Sequence, residues 1–432
     1  MRRPLDDRPA TFREVFASRD FRYLYAASTL SWIGDALARA AATALIYQAT
    51  GSVVASAAGF AISYVPWLIG APVLVALAER YPARRTLVGC DLARMALMAL
   101  AALPGLPPAG LLLVLLAAAT LTPPFEAVRS ATLPRILDGD RYVVGLAVNI
   151  TTAQPAQVLG YLLGAALATH HPRTALLLNA VTFGLSALLI RAGVRRMPAV
   201  GGSHRQALGT ETLAGFRLVF GTPVLRIIAL TVFTAVTVVI LPEGLAAAWA
   251  AEVNPGRHQG WAQGAIMISV PVGYFLGGLL FTRLTPPTVR TRLVRFLALT
   301  VPVSLIPALF EPNLGTVVVL GFVCGTVMGG LVPASNGLFV QALPDAFRAR
   351  AFGVVQSGLQ LLQGGALLAA ATLTQWLHVS LSFVVGAWSA VALLIMIGVS
   401  VRWPEPQAFA DAREAATRAN KPSDGPRTRD AM

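Results

Sequence analysis

Residues 23–52 read YLYAASTLSWIGDALARAAATALIYQATGS. The apolar part, 23–47, is longer than the roughly 20 residues a helix needs to cross a bilayer's hydrocarbon core. It ends at the turn pair Gly51-Ser52. Apolar side chains occupy every face of such a helix rather than one stripe, so it has no polar side to offer water. Eleven further runs follow: 53–78, 86–104, 109–130, 143–169, 173–194, 226–249, 261–283, 293–310, 315–341, 351–376 and 380–402. Pro104-Gly105, His171-Pro172 and Pro312-Asn313 punctuate the links. The runs do not alternate with period two, as a transmembrane barrel requires. The fold class is therefore all-α integral membrane, with twelve transmembrane helices.

Composition supports this reading. The chain has 432 residues, 56% hydrophobic and 12% charged, with a mean hydropathy of +0.66. Soluble domains carry about twice that share of charge. Disordered chains are poor in apolar residues, and two cysteines exclude a small disulfide scaffold. Cys90 and Cys324 fall inside spans and read as small buried residues. The first run is too long for the apolar core of a signal peptide, which predicts a retained first helix.

A net charge of +14 admits a nucleic-acid partner until the arginines are placed. They cluster at alternate junctions: Arg13, Arg19 and Arg22 before span 1, Arg80, Arg84 and Arg85 after span 2, Arg135 and Arg141 after span 4. Arg195, Arg196 and Arg205 follow span 6, Arg283 and Arg290 follow span 8, and Arg348 and Arg350 follow span 10. The other links hold only Arg173 and Arg257. The positive-inside rule places the rich side, with both termini, in the cytoplasm of a multi-pass protein. No nucleic-acid partner is then expected.

The polar segment 196–225 divides the chain into six spans and six. Pro123 and Pro134 in span 4 echo Pro333 and Pro344 in span 10, and Gln154 and Gln157 echo Gln360 and Gln363. Parallel six-span repeats are a transporter arrangement. The predicted organisation is an N-terminal segment 1–22, a bundle 23–195, a linker 196–225, a second bundle 226–403 and a disordered tail 404–432.

Ionisable groups inside spans are costly and mark function or pairing. Asp35 and Arg39 share a face of span 1, near Trp32. They form either a cavity-facing stripe or an internal ion pair that fixes packing. Glu126 and Arg129 are three apart at the end of span 4, as a site or as a helix-end pair. Glu243 follows Pro242, which frees a backbone carbonyl. Asp35, Glu243 and Glu126 are candidate proton-coupling groups. Asp91 and Arg94 are expected to pair at the cytoplasmic gate. Gln154, Gln157 and Tyr161 form one polar stripe, and Gln356, Gln360 and Gln363 another. They line a cavity or bond neighbouring helices. Asn336 is the asparagine best placed for a cavity, against Asn149 and Asn179. On span 5, Thr152, Ala156, Gly160, Gly164 and Ala168 make a small-residue face. No metal-ligand spacing, phosphate loop or nucleophile elbow occurs. The reading is a non-enzyme without cofactor or metal, using an ion gradient if it uses energy.

The motifs, taken in order over about 12–402, resemble the major facilitator superfamily. The branch they are most similar to contains macrolide-efflux and enterobactin-exporter-like drug exporters. They are Gly34-Asp35, Tyr47-Gln48-Ala49-Thr50-Gly51-Ser52, Asp91-Leu92-Ala93-Arg94 and Ser130-Ala131-Thr132-Leu133-Pro134. Gly215-Phe216-Arg217, Pro223-Val224-Leu225-Arg226 and Arg348-Ala349-Arg350 continue the pattern. Ala78-Glu79-Arg80-Tyr81-Pro82-Ala83-Arg84-Arg85 resembles the superfamily's G-x-x-x-D-R-x-G-R-R, with Glu79, Pro82 and Ala83 as departures. Helix 5 lacks the proline of the exporter motif G-P-x-G-G. The resemblance implies a monomeric carrier in the cytoplasmic membrane, with helices 1, 4, 7 and 10 lining a cavity. Its substrate would meet Trp32, Asp35, Arg39, Glu126, Gln154, Gln157, Tyr161, Asn336, Gln360 and Gln363. A gate of Glu79, Arg80, Arg84, Arg85, Asp91 and Arg94 would latch the cytoplasmic side. The implied activity is export of a small amphipathic or drug-like molecule in exchange for protons. Uptake of a metabolite, or a non-transporting receptor or lipid-handling role, are the alternatives.

Overall fold

This computed structural model describes residues 10–69, 80–168, 171–198, 208–256, 258–344 and 347–420, and their regular structure is entirely helical. Span 1 is the helix Arg19–Thr50, span 3 Ala83–Ala101, span 5 Asp140–Ala168 and span 6 Pro172–Gly193. Span 2 begins as Val53–Ala61, and span 4 is Pro108–Thr120 continued by Thr122–Ile136. Span 7 is Pro223–Gly244 continued by Ala246–Val253. Span 8 is Gln259–Leu284, span 9 Pro287–Leu305, span 10 Leu314–Gln341, span 11 Arg348–Leu377 and span 12 Leu381–Val401.

Eight of the described helices are individually long and apolar enough to cross a membrane. Spans 1, 3 and 5 fall short because they hold the charges and amides just discussed, and half of span 2 lies outside the described residues.

The ends follow local chemistry. Gly51 closes span 1 in the left-handed region, at φ 61°, and Ser52 then caps span 2 by accepting from the Ala55 N–H. Pro172 and Pro223 occupy first turns, where a missing N–H costs nothing. Asn313 and Ser380 cap spans 10 and 12.

Spans 1 and 5 pack closely through the small-residue face. A Cβ on Gly160 would stand 2.3 Å from the Ile33 carbonyl oxygen, so only glycine allows this approach. Spans 8 and 10 pack the same way.

The start of span 1 and the end of span 6 lie together on one membrane side, the terminal side. There, Asp20 accepts from the Arg195 backbone and guanidinium at 2.7 and 2.6 Å, and Ala10 donates to Asp140 at 2.6 Å. The two halves meet where span 2 faces span 11 and span 5 faces span 8. Among described residues, every side-chain hydrogen bond between the halves lies in the membrane half away from the termini. Gln263 donates to the Ala40 carbonyl at 2.8 Å and to Thr43 at 3.2 Å, and Gln375 donates to Ser52 at 3.1 Å.

One expectation is corrected. The tail is helical over Pro406–Asn420 instead of disordered. Ala408, Phe409 and Ala412 share a helix face and pack on the second bundle, Phe409 lies against Trp403, and Arg413 donates to Gln341 at 2.6 Å. A short apolar stripe with a membrane bundle beneath it outweighs an average polar composition. Residues 421–432 lie outside the described residues.

Candidate functional site

Between the halves lies a cavity of about 560 Å³. Its lining reaches from Ile228, Phe339 and Phe352, near the terminal side, to Arg39 and Glu243 deeper in the membrane. One wall, from spans 7 and 10, is apolar, with Val232, Val236, Met328 and Val332. The polar lining comes from Gln154, Gln157, Asn336, Gln356 and Gln363. Asn336 and Gln356 are exposed to it. Such a mixture of one apolar wall and a few directed amides suits a small amphipathic molecule.

The blind end is built from span 7 against spans 1 and 5. Glu243, buried, accepts hydrogen bonds from the Gln157 side chain at 2.7 Å and from the Tyr161 hydroxyl. Gln157 also donates to that hydroxyl at 3.1 Å. A carboxylate of one half is therefore held by two donors of the other. The Arg39 guanidinium sits 5.7 Å from both the Phe60 and Tyr161 rings, and Glu243 and Asp35 both lie in its field. Pro242 precedes Glu243, and span 7 breaks just beyond it at Leu245.

Asp35 is elsewhere. It lines a separate chamber of about 260 Å³, walled mainly by the first bundle with Arg39, Tyr64, Arg94 and Asn179, and reached by Gln360 of span 11. Of the two readings of Asp35 and Arg39, the internal ion pair is not formed. Arg39 Nε reaches only the Asp35 carbonyl, at 3.4 Å, and the carboxylate makes no hydrogen bond or ion pair with a described residue. Arg39 and Tyr64 line both spaces and so stand between them.

Other candidates are displaced too. Trp32 lines a third space of about 220 Å³, between spans 1, 4 and 5, where Arg129 lies 5.3 Å from its ring. Glu126 pairs with Arg129 at 2.6 Å, and Arg129 also donates to Asn149 at 3.3 Å. Neither Trp32 nor Glu126 lines the central cavity, and Tyr161 contributes from behind its wall. Gln360 accepts from Gln363 at 3.3 Å and faces the Asp35 chamber.

Asp91 and Arg94 do pair, at 2.6 Å, yet at 0% and 2% exposure they lie inside the first bundle rather than at a surface gate. Ser186 donates to Asp91 at 2.6 Å, and Phe125 and Phe183 sandwich the guanidinium at 4.3 and 4.5 Å. Three apolar helices bury this pair because its charges satisfy one another. Arg80, Arg84 and Arg85 remain at the terminal surface, and Glu79 lies outside the described residues. Tyr64 and Tyr274 line the cavity without having been anticipated. Their signal is a lone tyrosine inside an otherwise apolar span.

No family model matches the chain. Over 214 residues it is 26% identical to the multidrug efflux pump Tap of Mycolicibacterium fortuitum. That match covers 46% of this chain and spans only 50% of Tap's length. Among solved structures, the nucleoside transporter NupG superposes with a TM-score of 0.69 at 14% identity, over 89% of this chain and 99% of NupG. A POT family transporter in complex with 5-aminolevulinic acid gives 0.70 at 12% identity, over 89% and 96%. A bacterial homologue of the human lysosomal transporter Spinster, described as inward-facing and occupied, gives 0.61 at 13%, over 92% and 96%. These neighbours are membrane transporters rather than enzymes. The chain has their twelve-helix architecture, the major facilitator fold that the order of its motifs implied.

Proposed function

We propose that the chain exports a small amphipathic molecule across the cytoplasmic membrane in exchange for protons, by alternating access about the central cavity. The observation that carries this reading is the bonding of Glu243 of span 7 by Gln157 and Tyr161 of span 5, at the cavity's blind end. The arginine-rich links support a cytoplasmic location for the terminal side. The cavity then faces the compartment from which an exporter loads, and the likeness to an efflux pump points the same way. Both halves of one chain line the cavity, which supports a monomeric carrier.

In this state Glu243 communicates with the cytoplasm through the cavity and gives up its proton there. The ionised carboxylate accepts both bonds from span 5 and attracts Arg39, which holds the outer side shut. A substrate that takes the carboxylate, with Arg39 turning to Asp35 one turn away on its own helix, frees the span 5 donors. The outer side then opens, and Glu243 is reprotonated from outside. Coupling thus depends on one guanidinium having two carboxylate partners that it meets in different states.

The test is reconstitution of the chain in proteoliposomes with an imposed proton gradient and a fluorescent amphipathic dye. Accumulation that collapses with a protonophore is expected in vesicles whose cytoplasmic face points outward. Accumulation only in the opposite orientation would favour uptake. Dye binding without gradient-dependent flux would favour a receptor or lipid-handling role.

A further inference from the structure

The terminal surface holds a fourth space, of about 590 Å³, between the start of span 3 and the end of span 6. Arg84 and Arg85 line it from span 3, and Arg191 and Arg196 from span 6 and the residues after it. None of these four guanidiniums makes a hydrogen bond or ion pair with a described residue. Arg195, between two of them in sequence, is paired with Asp20, so counter-charge is available in this corner and is not spent on the four. Span 3 also has no acid in its first turn and no side-chain cap, which leaves the positive end of its dipole uncompensated beside two arginines.

The same crevice has an apolar floor. Val88 and Leu92 line it on successive turns below Arg84 and Arg85. Leu92 is 45% exposed, and Leu188, one turn inward of Arg191, is 62% exposed. Cations at the outer end and lipid-facing leucines toward the bilayer centre match the polarity of a phospholipid. Orienting the protein requires cations near this side, but does not require four of them to converge on one apolar crevice.

We infer that this crevice is a binding site for an anionic phospholipid of the cytoplasmic leaflet, its phosphodiester held by Arg84, Arg85, Arg191 and Arg196 and an acyl chain lying along Leu92 and Leu188. The site is separate from the central cavity and does not depend on what that cavity carries.

Native mass spectrometry of the full chain, delipidated in neutral detergent, tests it with phosphatidylglycerol, phosphatidylcholine and inorganic phosphate as probes. The wild-type chain should retain phosphatidylglycerol well above phosphatidylcholine. Each arginine removed should weaken retention about fivefold, so Arg84→Gln with Arg191→Gln loses on the order of 25-fold. Arg226→Gln with Arg402→Gln, on the same side outside the crevice, should change it little. Equal retention by the crevice variant overturns the site, as does equal loss in the control pair. Displacement of phosphatidylglycerol by inorganic phosphate at matched concentration would leave only an anion site and overturn the lipid assignment. If the double variant does not fold, Arg196→Gln alone, beyond the end of span 6, should still show the fivefold loss.

Discussion

Glu243, Arg39 and Asp35 show how far a residue's chemistry depends on what reaches it. All three stand out in the sequence as charges within apolar runs. Arg39 and Asp35 are four apart on one helix, and local geometry favours their pairing. Instead the guanidinium lies beside the Phe60 and Tyr161 rings, and Glu243, bonded to Tyr161, comes from the other half to the same end of the cavity. Two predictions belong here. Glu243→Gln still accepts hydrogen bonds but carries no titrating proton. Gradient-driven dye accumulation should fall about a hundredfold, while dye exchange without a gradient persists. Retained accumulation would remove Glu243 as the proton carrier. Arg39→Ala should cost about 3 kcal/mol in thermal or denaturant stability by leaving a buried carboxylate uncompensated. Adding Glu243→Gln should recover more of that loss than adding Asp35→Asn. The opposite order would place the guanidinium's main partner on span 1.

Helices are the scale at which the sequence was most legible. Turn residues stop spans where expected: Gly51 adopts the left-handed conformation, and Asn313 caps span 10. The small-residue face of span 5 packs on span 1. Gly160→Leu should drive a side chain into the Ile33 carbonyl and cost about 1–3 kcal/mol by overpacking. The measurement is the thermal unfolding midpoint in detergent, and an unchanged midpoint would contradict the close approach. The tail helix Pro406–Asn420 was less legible, because its apolar stripe is short and gains stability only from the bundle it covers. The buried Asp91–Arg94 pair belongs here too. Its position near the start of span 3 suggests a surface gate, but the crossing of spans 4 and 6 encloses it.

Across the whole molecule, the halves touch on one side and part on the other. Thr43 and Gln263 are bonded across the closed side at 3.2 Å. A Thr43→Cys, Gln263→Cys double variant joined by a short, reducible bis-thiol cross-linker should lose flux and recover it on reduction. Cys90 and Cys324 are buried and should not interfere. Flux that survives complete cross-linking would mean this side does not have to open.

Hydropathy by itself determined that this is a membrane protein and how many times it crosses. Each of these is a sum over neighbouring residues, and a bilayer reads it segment by segment. Tertiary structure alone decided that Glu243 meets Gln157 and Tyr161, 86 and 82 residues away, and that Asp35 and Trp32 stand in different spaces from the central cavity. It also decided which side is closed. Inside a bilayer almost every helix face is apolar, so pattern cannot say which face meets which neighbour. That choice falls to the close packing of small residues and to the few polar groups that must find partners away from water.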